Sequence, residues 1–126
     1  MTKILHLTEA ASWEAAQSSG IYRQSTRGAT LAEVGYIHCS GEDQLPVVAS
    51  FIYSDYAVDL VVLELDAAAI AAEGIAIRFE DAGNGEMFPH LYGELKTEWV
   101  RATHRASMID GTLSVPDFAG SRGTTP

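Results

Sequence analysis

Strict alternation of apolar and polar side chains is clearest over Gly35-Tyr36-Ile37-His38-Cys39-Ser40. Successive side chains of a strand point to opposite faces, so Tyr36, His38 and Ser40 should share one face and Ile37 and Cys39 the other. A shorter version occupies residues 4–8, where Ile4, His6 and Thr8 share a face. Both stretches contain His-x-Ser/Thr, and both are predicted to close a strand just before a helix, where unpaired N–H groups favour ligands. Thr8 is the predicted N-cap of a helix over residues 9–18 that buries Trp13 and stops at Gly20. Ser40 is predicted to open the next helical segment.

Between these units, residues 21–23 read as a short extended piece, 24–30 as a polar loop and 30–34 as one helical turn. The helix after Ser40 has two possible starts. Capping by Ser40 itself would put Pro46 inside the helix at a cost of about 3 kcal/mol, whereas a turn over residues 40–44 leaves Pro46 in the first helical turn. The preferred form is a distorted first turn and regular helix to about Tyr53, with Leu45, Val48, Ala49, Ile52 and Tyr56 as one buried stripe. Residues 60–65 are nearly all apolar and rich in β-branched side chains, the pattern of a central strand covered on both faces. Asp66 is the predicted cap of a helix over residues 67–72. Ile75, Ile77 and Phe79 alternate with Ala76, Arg78 and Glu80 in a half-buried strand, and residues 81–86 read as a loop. In Met87-Phe88-Pro89-His90-Leu91-Tyr92-Gly93 the proline argues against a central ladder position. Asp110-Gly111 marks a hairpin between strands at 99–105 and 112–115. The sum is six or seven strands and three helices, an α+β domain with a mostly antiparallel, split or curved sheet. No Gly-rich phosphate turn follows a strand, which argues against a doubly wound nucleotide fold.

Composition narrows the class. Of 126 residues, 47% are apolar and 20% charged, which predicts one globular domain over 1–118 and, where nothing remains to bury, a disordered tail over 119–126. Seventeen acidic residues against eight basic ones give a net charge of −9 without any basic run. Non-specific binding to nucleic acid or an anionic membrane is thereby disfavoured. Neither a signal-like apolar stretch nor a run long enough to span a bilayer is present, so a cytoplasmic protein is expected. Cys39 is the single cysteine, which excludes an intrachain disulfide and a Cys-based zinc site.

The histidines at 6, 38, 90 and 104 lack the i, i+2 or i, i+4 spacing that usually accompanies a metal, and no metal is expected. Cys39 faces away from His38 and reads as a small buried thiol. The two His-x-Ser/Thr units could instead cooperate on a phosphate ester, one imidazole as base and the other as acid. The bland alternative is that each histidine makes a structural hydrogen bond at a strand end. Tyr36, Phe88 and Tyr92 are candidate stacking side chains or packing anchors. Tyr22 and Arg23 could line the same cleft, or lie in an exposed loop.

The succession Ile4-Leu5-His6-Leu7-Thr8, Trp13, Gly20, the Tyr36 to Ser40 strand, Asp59-Leu60-Val61-Val62-Leu63 and Glu86-Met87-Phe88-Pro89-His90-Leu91-Tyr92-Gly93 closely resembles a small bacterial domain-of-unknown-function family over about residues 3–115. That family is grouped by fold with the ADP-ribosyltransferases, which bind NAD in a cleft between two small antiparallel sheets. The resemblance implies an ADP-ribosyltransferase-like split antiparallel sheet with helices in the N-terminal half, and NAD or a related phosphorylated nucleotide as ligand. In one transferase branch a first-strand His followed by Gly and Ser/Thr holds the adenosine ribose and nicotinamide amide; His6 and Thr8 match, while Leu7 replaces the Gly. His38-Cys39-Ser40 looks like the His-x-Ser/Thr element of the RNA 2′-phosphotransferase branch. Glu86 is the candidate for the late acidic residue by its place before Phe-Pro-His. The implied site has His6, His38 and Glu86 as catalytic residues and His6, Thr8, Tyr36, Ser40, His90 and Tyr92 around the cofactor. Two other functions remain open: a non-catalytic module for a small anion or partner protein, and a two-histidine phosphoesterase working without NAD.

Overall fold

A computed structural model describes residues 3–55, 58–81 and 85–117. Strand β1 (Ile4–Glu9) runs directly into α1 (Ala10–Ser19), which Gly20 ends in the left-handed conformation at φ 84°. Three short strands follow, β2 (Ile21–Tyr22), β3 (Gln24–Thr26) and β4 (Ala29–Thr30), and then the helical turn α2 (Leu31–Val34). Thr30 and Glu33 cap that turn reciprocally, each side chain bonding the other's backbone N–H. Next come β5 (Ile37–His38), α3 (Leu45–Tyr53), β6 (Leu60–Leu65) and α4 (Ala67–Ala72), the last capped by Asp66. The rest is β7 (Ala76–Asp81), β8 (Met87–Tyr92), β9 (Leu95–Lys96), a 3-10 turn at Thr97–Trp99, β10 (Val100–Ile109) and β11 (Thr112–Ser114).

Two antiparallel sheets carry the polar residues singled out above. One has the order β1-β6-β10-β11 and the other β5-β8-β7; β2–β9 and β3–β4 are two-stranded pairs. The apolar run of β6 makes it an inner strand, as its pattern predicts. Val61, Leu63 and Leu65 pack with Trp13, Tyr22, Ile37 and Leu91 on one side, and Leu60 and Val62 with Leu5, Leu7, Ala49 and Tyr53 on the other. Among the described residues the two sheets meet at a single bridge, where Leu5 and Ser40 exchange backbone hydrogen bonds of 2.8 and 2.7 Å. A continuing antiparallel ladder would next pair Leu7 with His38. Instead the strands part there, and β1 pairs along its length with β6.

Several local expectations give way to tertiary pairing. Thr8 is not a cap: β6 continues far enough to pair Thr8 with Val61 and Glu9 with Leu60, so α1 starts after Glu9 without a side-chain cap. Ser40 does not open a helix, because its backbone is spent on the bridge to Leu5. Helix α3 begins five residues later with Pro46 in its first turn, the second of the two starts. His38 therefore ends a strand but does not sit at a helix start. Residues 24–30 form the β3–β4 hairpin around Gly28, not a loop. Pro89 lies in the middle strand of its sheet, where its missing N–H would face the Cys39 carbonyl just beyond the end of β5, and its own carbonyl accepts the Cys39 N–H at 2.9 Å. Asp110 (φ 52°) and Gly111 (φ 78°) make the predicted tight turn. Tyr56, part of the 81–86 loop and the 119–126 tail lie outside the described residues. No helix among the described residues is long and apolar enough to cross a membrane.

Candidate functional site

The parting of β1 from β5 leaves the His38 carbonyl without a ladder partner, and the His6 ring takes it. Nδ1 of His6 lies 2.6 Å from that oxygen. A carbonyl only accepts, so Nδ1 carries the proton, and Nε2 accepts from the Tyr22 hydroxyl at 2.7 Å. The ring is 2% exposed. Burial pushes its pKa down to about 4, against the raising effect of the bond to the carbonyl. Tyr22 is pushed up in turn, chiefly by burial, with Thr8 beside its hydroxyl. Thr8 and Ser40 are buried as well. His6, Thr8 and Tyr22 thus form a sealed knot behind the fork between the sheets.

His38 belongs to a different cluster. The Cys39 N–H to Pro89 carbonyl bond fixes which pairs of the β5–β8 ladder exchange hydrogen bonds, and it leaves His38 and His90 as a non-exchanging pair, whose side chains stand closest. Their rings meet at 3.4 Å between His38 Nδ1 and His90 Nε2. Alternation along β5, β8 and β7 places Tyr36, His38, Phe88, His90, Tyr92, Arg78 and Glu80 on one face, with Ile37, Cys39, Leu91 and Ile77 turned to the core. Tyr36 stacks on His90 at 4.0 Å between centroids and stands 5.4 Å from Tyr92. The Arg78 guanidinium lies 5.0 Å over the Tyr92 ring. Glu80 accepts from the Tyr92 hydroxyl at 2.6 Å and contacts His90 Nδ1 at 2.8 Å. These two bonds, that from Tyr92 first, hold its carboxyl below the usual range. Burial, and then the repulsion that two protonated rings would suffer beside each other, push His38 down to about 4.

The implied site residues therefore divide. Tyr36, His38, His90 and Tyr92 converge on one sheet face. His6, Thr8 and Ser40 lie behind it in packed interior, and both nitrogens of His6 are occupied, so the ring that meets His38 is that of His90. Glu86 hydrogen-bonds Gln44 beside α3, and the carboxylate that reaches His90 is Glu80. Arg23 is ion-paired with Glu94. Cys39 is fully packed, its thiol pushed up to about 12 by burial, which rules against a nucleophilic role. Glu80 and Arg78 were missed as site residues. Their signal was the alternation of β7, which needs only the hairpin register, Arg78 opposite His90 and Glu80 opposite Phe88, to place them. A separate groove of about 910 Å³ opens between α1 and β10 beside Trp13, Glu14, Asp59 and Arg105, and no histidine borders it.

The family described as "Protein of unknown function (DUF952)" matches residues 7–103. The chain is similar to the crystal structure of protein CC0527 from Caulobacter crescentus, with a TM-score of 0.76 and 25% identity, covering 96% of this chain and 97% of that one. The solution NMR structure of CC0527 gives a TM-score of 0.71 and 27% identity over the same shares. No curated protein matches the chain.

Proposed function

Since the chain belongs to the DUF952 family, we propose, from its own geometry, that the polar face of β5, β8 and β7 binds NAD or a related phosphorylated nucleotide. The observation that carries this reading is an aromatic shelf beside a guanidinium: Tyr36 and Tyr92 at 5.4 Å, with Arg78 over the Tyr92 ring. Flat π surfaces suit a base or a nicotinamide, and a guanidinium suits phosphate oxygens, which it can grip through two N–H donors. Two antiparallel sheets joined at one bridge also suit an ADP-ribosyltransferase-like arrangement, in which the ligand lies where the sheets part. On this reading His38 touches the ligand, while His6, Thr8 and Ser40 hold the strands behind it. Glu80 takes the acidic role that the motif order suggested for Glu86.

Calorimetry or ligand-observed NMR with NAD, ADP-ribose and nucleoside monophosphates tests it. Saturable binding below millimolar concentration is expected, with loss in Tyr36→Leu while the fold persists. No binding by any of these ligands at millimolar concentration overturns the reading.

A further inference from the structure

Glu80 does more than border the shelf, because its contacts decide where the protons of two histidines sit. A carboxylate only accepts, so His90 must carry a proton on Nδ1, the atom 2.8 Å from Glu80. With the ring neutral, its Nε2 is then a bare acceptor, and the group facing it at 3.4 Å is Nδ1 of His38. His38 therefore donates through Nδ1, and the ring nitrogen left without a proton is its Nε2. We propose that Glu80, His90 and His38 form a proton relay whose terminal atom, Nε2 of His38, is the general base for a hydroxyl or a water held on the ligand face.

The inference rests on the nucleotide-binding reading for its substrate but not for its test. In the step, the O–H bond breaks and leaves its electron pair on oxygen, while a new N–H bond forms at His38 Nε2. The Nδ1 proton of His38 passes to His90 Nε2, so the positive charge comes to rest on His90 beside the Glu80 carboxylate. His38 is neutral again, and the charge released on oxygen is matched by the imidazolium of His90. The parts are held for this transfer. Tyr36 stacked on His90 at 15° fixes one ring plane, and Phe88 at 5.4 Å backs the other. His90 is itself buried, so water does not compete for its inner nitrogens. The 3.4 Å separation is long for a hydrogen bond, as such contacts often are before a ligand closes the site.

Nitrogen-15 spectra of histidine-labelled protein without ligand read the proton positions directly. At neutral pH, His38 and His90 should both appear as Nδ1–H tautomers with bare Nε2 atoms. In Glu80→Ala both should leave that single tautomer, while His6, anchored by the His38 carbonyl, keeps its own. A proton found on Nε2 of His38 in the parent protein overturns the relay, since it would mean that His90 carries two protons and donates outward. Unchanged tautomers in a folded Glu80→Ala overturn it equally. Absence of nucleotide binding would instead remove the ligand and leave these spectra as they are.

Discussion

His6 and His38 are joined by one hydrogen bond, yet their rings occupy opposite surroundings. His6 is enclosed, with both nitrogens committed, one to a backbone oxygen and one to a phenol. His38 is half-buried on a sheet face, with one nitrogen directed at another histidine. The same residue type in the same His-x-Ser/Thr setting is thus locked into the interior in one case and set on a polar sheet face in the other. What separates them is the neighbour across the ladder: His6 of β1 faces Leu63 of the nearly all-apolar β6, whereas β5 faces β8, which carries His90 and Tyr92 on the matching side.

The sharpest break of this contrast is truncation. His6→Ala leaves the His38 carbonyl without its donor and the Tyr22 O–H without its acceptor and opens a cavity in close packing, so urea melts should show a loss of about 3 kcal/mol or more. Acid comes next. Both histidines titrate near 4 in the folded chain against 6.5 for the ordinary group. Between those values the unfolded chain binds protons that the folded chain refuses, so stability is full above pH 6.5 and drains as pH falls toward 4. For His6 alone the drain is about 3 kcal/mol, and because His38 is depressed to the same value, a pH series of melts on His38→Gln should retain about half of the parent's slope. Tyr22→Phe, which strips one partner from a buried nitrogen, should cost about 1–2 kcal/mol by the same melts. His38→Ala is the mildest, at about 1 kcal/mol or less, while removing the ring from the polar face of β5, β8 and β7. A His38→Ala loss as large as that of His6→Ala would erase the distinction between the two sites.

Local rules read from the chain reached about as far as each element's own residues. The stop at Gly20, the cap at Asp66, Pro46 in the first turn of α3, the doubly covered β6 and the Asp110-Gly111 turn all follow from a few adjacent side chains. What escaped depended on partners distant in sequence. Thr8 has the chemistry of a cap, but the available edge of β6 outbids that role. The sequence pattern suggested cooperation between His6 and His38 because their motifs look alike. The ring that meets His38 comes from β8, fifty-two residues on, and Glu80 enters through a third strand. A face assembled from three strands is legible only once register is known, because a shift of one residue would turn every member of one strand away.

The Leu5–Ser40 bridge makes the orientation of the polar β5-β8-β7 face adjustable. With a single ladder rung between the two sheets among the described residues, their mutual angle is set by the side chains packed between them, Ile37 and Leu91 against Leu63 among others. Substitutions among those contacts can tilt one sheet against the other while each keeps its internal pairing. Drift within this core is therefore a route by which related chains can acquire differently shaped clefts without altering a polar residue.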